Sequence, residues 1–240
     1  MCIRDRIDVQ YWPQGASVES LELDPEAAKI AASALAIDAP PEDGLWMCHK
    51  LCELGGTPFG EFLADLRVFL ETNPDEVLVI VIQDEAPADD IVEAIEGSRV
   101  DEFAFTHVAG SPWPTLGDMI EANRRVVFLA ENEAHDASWY QLAFDGNVSE
   151  TGFRYSVVED FDCSESRGGT TGDFFMINHW VETGLPIPAE ADTVNSAEVL
   201  HRRIEQCLAD RGRAPGIIAV NFWERGDLFA VVDALNGGAG

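Results

Sequence analysis

"EVLVIVIQDE", residues 76–85, decides the fold. Six apolar residues, Val77 to Ile82, run without a break and end in Gln83, Asp84 and Glu85. A strand with one wet face alternates apolar and polar residues. This one does not, so it reads as a strand buried on both faces, as in a parallel sheet. Side chains alternate along a strand, which places Gln83 and Glu85 on the same side.

The segments around it follow the same logic. Upstream, "TPFGEFLADLRVFLETNP" (57–74) reads as a helix, with Thr57 as cap, Pro58 at the first helical position and Asn73-Pro74 as stop. Phe59, Phe62, Leu63, Leu66, Phe69 and Leu70 share one face at helical spacing. Downstream, "TLGDMIEAN" (115–123) is a short helix with Thr115 and Asp118 spaced for reciprocal capping. The acidic run "DEAPADD" (84–90) reads as solvated loop and helix-start charge. "SAEVLHRRIEQCLADRG" (196–212) and "DLFAVVDALNGG" (227–238) are helical, the second with Gly237 as C-cap. "IDVQYW" (7–12), "LWMCH" (45–49), "RRVVFLAEN" (124–132), "DFFMINHW" (173–180) and "GIIAVNFW" (216–223) read as strands, and "YSVVE" (155–159) as a further one.

Alternating strands and helices predict a parallel sheet, doubly wound or closed. The sequence has no G-x-G-x-x-G and no G-x-x-x-x-G-K-[ST], so no nucleotide fingerprint favours the doubly wound form. Polar residues recur where each strand ends: Asp8; His49; Gln83, Asp84 and Glu85; Glu131 and Asn132; Asn178 and His179; Asn221. Chemistry gathered at strand C-termini is the signature of a (β/α)8 barrel. The expected fold is therefore an α/β, TIM-type barrel, incomplete because fewer than eight strands are legible. "IDVQYW", "LWMCH" and "EVLVIVIQ" should be adjacent and parallel.

The chain has 240 residues, 46% of them hydrophobic, enough for one barrel-sized domain. No apolar run reaches the roughly 18 residues of a membrane helix, which argues against stable membrane insertion. The formal charge of −29 repels nucleic acid and anionic membranes. Lys29 and Lys50 are the only lysines, a balance suited either to a salt-rich habitat or to an ordinary acidic extracellular protein. The opening "MCIRDR" has neither the charged nor the apolar region of a signal peptide. It resembles a translated sequencing-adapter read-through. Residues 1–6 are thus expected to be foreign, and 7–240 to be the native barrel.

"LWMCHKLCELGG" (45–56) sets His49 between Cys48 and Cys52. The three residues could ligate a metal, His49 could be an acid–base catalyst, or it could be a loop histidine beside a disulfide. A structural zinc needs four ligands, and no second pair lies at ligand spacing.

Joined to "FGEFLADLRVFLETNPDEVLVIVIQDE", this segment resembles the X-domain barrel of phosphatidylinositol-specific phospholipase C-like phosphodiesterases, nearest to their secreted bacterial and fungal type. "WPTLGDMIEANRRVVFLAEN", "FFMINHW" and "PGIIAVNFWERGDLFAVVDALNG" extend the resemblance from about Ile7 to Gly237. It implies two histidines at the barrel mouth, one a general base in a T-H-N-like motif after the first strand, the other a general acid after the third. His49 matches the second. No histidine precedes Asp8, so the first strand and its motif are absent, and the chain as written is expected to be inactive.

The resemblance further implies a divalent cation, calcium or magnesium, held by acidic residues. Asp8 matches one position, with Arg6 where another acid usually stands. Gln83, an amide, falls at the acidic position after the fourth strand, and Glu85 on the same side is the alternative ligand. Glu131, Asn178, His179 and Asn221 are candidate substrate contacts, His179 with a structural hydrogen bond as its competing role. By analogy with the group, Cys163 and Cys207 form a disulfide. Cys48 and Cys52 pair with each other or with a residue further upstream. His107, His135 and His201 are read as surface residues.

The implied reaction is cleavage of lipid or glycerol phosphodiesters by a secreted, monomeric enzyme. Such cleavage needs a base, an acid for the departing alkoxide, and positive charge at the phosphoryl oxygens. Competing readings are a glycerophosphodiester phosphodiesterase, a sphingomyelinase D-like enzyme, and a non-catalytic carbohydrate- or surface-binding barrel, the last favoured by Gln83.

Overall fold

A computed structural model describes residues 2–12, 44–48, 52, 56–108, 111–182 and 188–237, with side chains from Ile7 onward. The chain divides into two compact units, Met1–Ala143 and Phe144–Gly240.

In the first unit the order is β1 (Cys2–Trp12), β2 (Gly44–Met47), β3 (Thr57–Pro58), α1 (Phe59–Thr72), β4 (Val77–Asp84), α2 (Ala88–Ser98), α3 (Leu116–Glu121), β5 (Val126–Ala130) and β6 (Tyr140–Leu142). The six strands form one sheet in the order β3-β2-β1-β4-β5-β6. β1, β4, β5 and β6 are parallel neighbours. The unbroken apolar run of β4 has the expected cause. Leu78, Ile80 and Ile82 pack with Phe128, and with Leu63, Leu66 and Leu70 of α1 and Ile91 and Ile95 of α2. Val79, Val81, Val127 and Leu129 are equally buried on the opposite face. Each such side chain contributes about 1.5–3 kcal/mol when taken from water.

Three expectations need correction. β2 runs antiparallel to β1, with Val9 opposite Met47 and Trp12 opposite Gly44, so "IDVQYW" and "LWMCH" are adjacent but not parallel. An apolar run reads the same in either direction, so periodicity could not give its sense. The return from β2 to β3 spans only residues 48–56, shorter than the dozen or so residues a parallel crossover requires, and that pair is antiparallel too. Because Thr57 and Pro58 are spent on this ladder, α1 starts at Phe59, with Pro58 at the N-cap and no side-chain cap bond. The far end matches the sequence reading: the Asn73 side chain donates to Phe69 O at 2.8 Å. Third, no closed barrel is seen among the described residues. The described residues form a mixed α/β fold of two sheets, six-stranded and three-stranded, not one closed eight-stranded barrel.

Arg125 anchors the base of this unit. It is 1% exposed and donates to the carbonyls of Leu70, Asn73 and Glu76. α3 has the reciprocal cap read from sequence, with Asp118 N–H on Thr115 Oγ1 at 3.1 Å and Thr115 N–H on Asp118 Oδ2 at 3.0 Å.

In the second unit β7 (Val148–Glu150), β8 (Phe174–His179) and β9 (Ile217–Val220) make a parallel sheet, accompanied by α4 (Pro188–Val194), α5 (Ala197–Arg211) and α6 (Leu228–Leu235). Phe175 and Ile177 pack with Leu200, Ile204 and Cys207 of α5. Cys163 and Cys207 are disulfide-bonded, Cα atoms 5.2 Å apart, as the resemblance implied. Gly237, one residue beyond the Asn236 cap of α6, takes the left-handed conformation with φ 88°.

"YSVVE" is not a strand. Val158–Asp160 is a 3-10 turn, and Tyr155 and Phe161 are buried against Val194 and Val199. The β-branched pair signalled a strand, but burial of the flanking rings outweighs that propensity. The strand nearby is β7, whose outer edge is covered by the following loop. Glu150 N–H bonds Arg167 O at 3.1 Å, and Ser166 N–H bonds Glu150 O at 3.0 Å. Gly168, at φ +72°, lies so close that a Cβ would stand 1.9 Å from Val148 O, and one on Gly172 would stand 2.3 Å from Val148 C.

Candidate active site

The parallel register of the first unit builds a row. Asp8 on β1 is the Cα partner of Gln83 on β4. Ile82 pairs with Ala130, and Glu131 N–H continues the ladder to Ile82 O at 2.9 Å. Asp8, Gln83 and Glu131 therefore stand side by side at the ends of the β1–β4–β5 ladders. All three are half-buried, on the face that carries Val79, Val81 and Leu129. Glu85 is exposed, and its Oε1 accepts from Gln83 Nε2 at 3.0 Å.

Asp84, between them, points the other way and is 5% exposed. Its Oδ1 accepts from the N–H groups of Glu131 and Asn132, both at 2.9 Å, and its Oδ2 from Glu133 N–H at 2.8 Å. Burial pushes this carboxyl above the usual range, and the backbone donors offset part of that push. Asp84 is a clamp that fixes where Glu131 begins.

Beside Asp8 lies the end of β2. Cys48 N–H bonds Asp8 O at 3.1 Å. Cys48 and Cys52 are joined as a disulfide, and Gln10 Nε2 lies 3.1 and 3.2 Å from their sulfurs. Sulfurs bonded to each other offer no thiolates, which removes the reading of Cys48, His49 and Cys52 as a metal site. His49 lies outside the described residues. Among those described, no group of three or more His, Cys, Asp or Glu side chains is set to hold a metal ion. To this place Asp8 and Glu85 bring carboxylates and Gln83 an amide.

The second unit has its own strand-end cluster, which the sequence reading found only in part. Asn178 is fully buried on β8 and donates through Nδ2 to Glu150 Oε2 at 3.0 Å and Thr151 O at 2.9 Å. Glu150, at 0% exposure on β7, also receives a two-pronged bond from Arg167, Nε to Oε1 at 2.7 Å and Nη2 to Oε2 at 3.1 Å. Neither Glu150 nor Arg167 was singled out in the sequence. β7 is three residues long and has no apolar period, and its partner lies 17 positions away in a glycine-rich loop.

His179, next to Asn178, necessarily points to the other face. It is fully buried, with its ring on Phe161 at 4.9 Å and Nε2 bonded to Val194 O at 2.8 Å. Burial lowers its pKa to about 4, with Arg203 and Arg202 adding to the shift and the Val194 bond opposing it. The imidazole is neutral near pH 7 and Nε2 carries the proton. Asn221 follows β9 and lines, with His179, Trp180, Asn195 and Phe222, a small cleft beside α4. Of the histidines read as surface residues, His201 is exposed and His135 is partly so, with Nε2 3.2 Å from Asp89. His107 is not a surface residue: it is 6% exposed and stacked on Trp113 at 4.0 Å. The stacking partner lies six positions on, past a Gly-Ser-Pro turn sequence that gives no period to read.

Two disulfides are compatible with an extracellular protein. No helix among the described residues is long and apolar enough to cross a membrane.

Comparison with known proteins gives a consistent likeness. The family model described as PI-PLC X 1 matches residues 36–236. A PI-PLC X domain-containing protein of Arabidopsis thaliana is 25% identical over 212 residues, covering 80% of this chain and 49% of the relative. PI-PLC X domain-containing protein 1 of Arthroderma benhamiae is 24% identical over 217 residues, covering 82% of this chain and 71% of the relative. The chain therefore spans about half the length of the plant protein. No solved structure matches.

Proposed function

Because the chain belongs to the PI-PLC X domain family, we propose that it comes from a secreted, monomeric phosphodiesterase of the phospholipase C-like class, acting on lipid or glycerol phosphodiesters. The observation that carries this reading is the row Asp8–Gln83–Glu131 across neighbouring parallel strands, with the chain entering the Cys48–Cys52 ring directly beside Asp8. Strand ends of this kind are where α/β enzymes collect their chemistry.

In the proposed mechanism His49 is the general acid, giving its proton to the departing alkoxide. An imidazole suits that task because it titrates near neutrality. Asp8 and Glu131 accept hydrogen bonds from substrate hydroxyls. Gln83 donates to Glu85 and holds that carboxylate at the rim of the row.

The test is turnover of a phospholipid and of a glycerol phosphodiester by the full-length gene product, upstream segment restored, with and without chelator, products followed by phosphorus NMR. His49→Ala should lower turnover by at least about 10²-fold. Unchanged turnover removes His49 from the mechanism. A second reading, a non-catalytic surface-binding module, is favoured by the amide of Gln83 at the expected acidic position. It predicts no turnover of either substrate, with or without divalent cation.

A further inference from the structure

We propose that the core of the second unit holds a small monovalent anion, a chloride or bromide ion, against the Arg203 guanidinium. Arg203 stands on α5 with 1% of its surface exposed. An arginine cannot shed its proton to escape burial, so its charge must be met in place. Rings meet part of it: the guanidinium lies 5.1 Å from the centre of the Tyr155 ring and 4.9 Å from that of Phe161. Nη2 donates to the Tyr155 hydroxyl at 3.1 Å, and that hydroxyl donates onward to Asp162 O at 3.2 Å. Nε and Nη1, however, are buried without a hydrogen-bond partner. Their N–H groups belong to a full positive charge, and no carboxylate pairs with them.

The surroundings point to the ligand class. Phe161 also carries the His179 ring, 4.9 Å away. Arg203 and Arg202 both act on His179 to disfavour a further positive charge there, and among the described residues no carboxylate counters them. Within a chain of charge −29 this is a local island of positive field. A water molecule would satisfy the N–H groups and leave the charge uncompensated, whereas an anion does both. Tyr155 and Phe161 pack with Val194 and Val199, and all four are buried. An anion entering such a place gives up its hydration, which favours a monovalent halide over sulfate or phosphate. The repulsion from the rest of the chain acts at long range and is screened in salt, while a buried interaction is screened much less. The site is independent of the phosphodiesterase reading, because all its residues lie in the second unit and none belongs to the Asp8–Gln83–Glu131 row.

The test follows the Arg203 Nε–H resonance of the full chain by NMR while sodium chloride, then sodium bromide, replaces sodium fluoride at constant ionic strength. Fluoride, the most strongly hydrated halide, is the control. A saturable shift with chloride and bromide supports the site. A shift that fluoride gives equally is a general salt effect and overturns it. No shift with any halide leaves an internal water as the occupant and also overturns it. Stability is the second readout. A ligand bound only by the folded form raises the folding equilibrium constant about tenfold at about nine times its Kd. Urea unfolding should show such a rise in chloride over fluoride for the wild type, and none for Arg203→Met, which removes the charge at similar volume. An equal rise in folded Arg203→Met overturns the proposal. If Arg203→Met does not fold, wild-type crystals grown in bromide decide the matter by anomalous scattering: a peak within hydrogen-bond distance of Nε or Nη1 supports the site, and a water there in its place overturns it.

Discussion

Acidification should destabilise the second unit through His179, and the size of the effect follows from its burial. The ring is fully enclosed, and its pKa falls from 6.5 to about 4. The folded form therefore resists a proton that the unfolded chain accepts. Stability from this group is fully present above about pH 6.5 and is lost as pH falls toward the folded value, because the unfolded state then binds more protons. At about 1.36 kcal/mol per pKa unit, the shift is worth about 3 kcal/mol when complete, and about 2.5 kcal/mol between about pH 7.5 and about pH 4.5. His179→Gln isolates the effect. The Gln amide can replace the Nε2 donation to Val194 O, and Nδ1 has no partner to lose. Urea unfolding of both proteins across that range gives the comparison. The variant should start less stable, from weaker packing on Phe161, and then lose about 2.5 kcal/mol less on acidification. Parallel stability curves for the two proteins would refute the reasoning.

The remaining expectations are simpler. Asp84→Ala strips three backbone N–H groups of their acceptor and should cost about 3 kcal/mol, read as a drop in the urea midpoint. Arg125→Met takes a donor from three carbonyls, of which that of Leu70 is buried, and should cost about 2–3 kcal/mol. Non-reduced peptide mapping should recover Cys163 linked to Cys207. Replacing both by Ala should lower stability by up to about 4 kcal/mol, given a sequence separation of 44.

The strands most legible in the sequence are those whose two faces are both dry. Val77–Asp84, Val126–Ala130 and Phe174–His179 appear as apolar runs because each is covered on two sides, whereas Ile217–Val220 shows the same run with only Ile217 buried. Direction was not legible: Gly44–Met47 has the composition of its parallel neighbours and runs against β1. Nor were the three-residue strands Tyr140–Leu142 and Val148–Glu150, too short to show a period. The same limit governs the site. Gln83 and Glu131 could be named because each stands at the end of a legible strand, and Asp8 because the resemblance implied an acid there. Glu150 could not, because its charge interrupts the pattern a buried strand is recognised by, and Arg167 reaches it from a loop. His49 was named on motif alone, and nothing in the described geometry bears on it.

The loop over β7 has a consequence for how this protein behaves in concentrated solution. A sheet edge left bare is a template on which another molecule can add a strand. Here the cover is main chain laid on main chain, held by Glu150 and Ser166 backbone bonds, with only hydrogen atoms of Gly168 and Gly172 facing Val148. Any side chain at either position lifts the loop and bares the ladder. Such substitutions would surface first as loss of soluble material, before any change in chemistry could be measured. In a selection for solubility alone, these two glycines would be retained as strictly as any residue of the strand-end clusters.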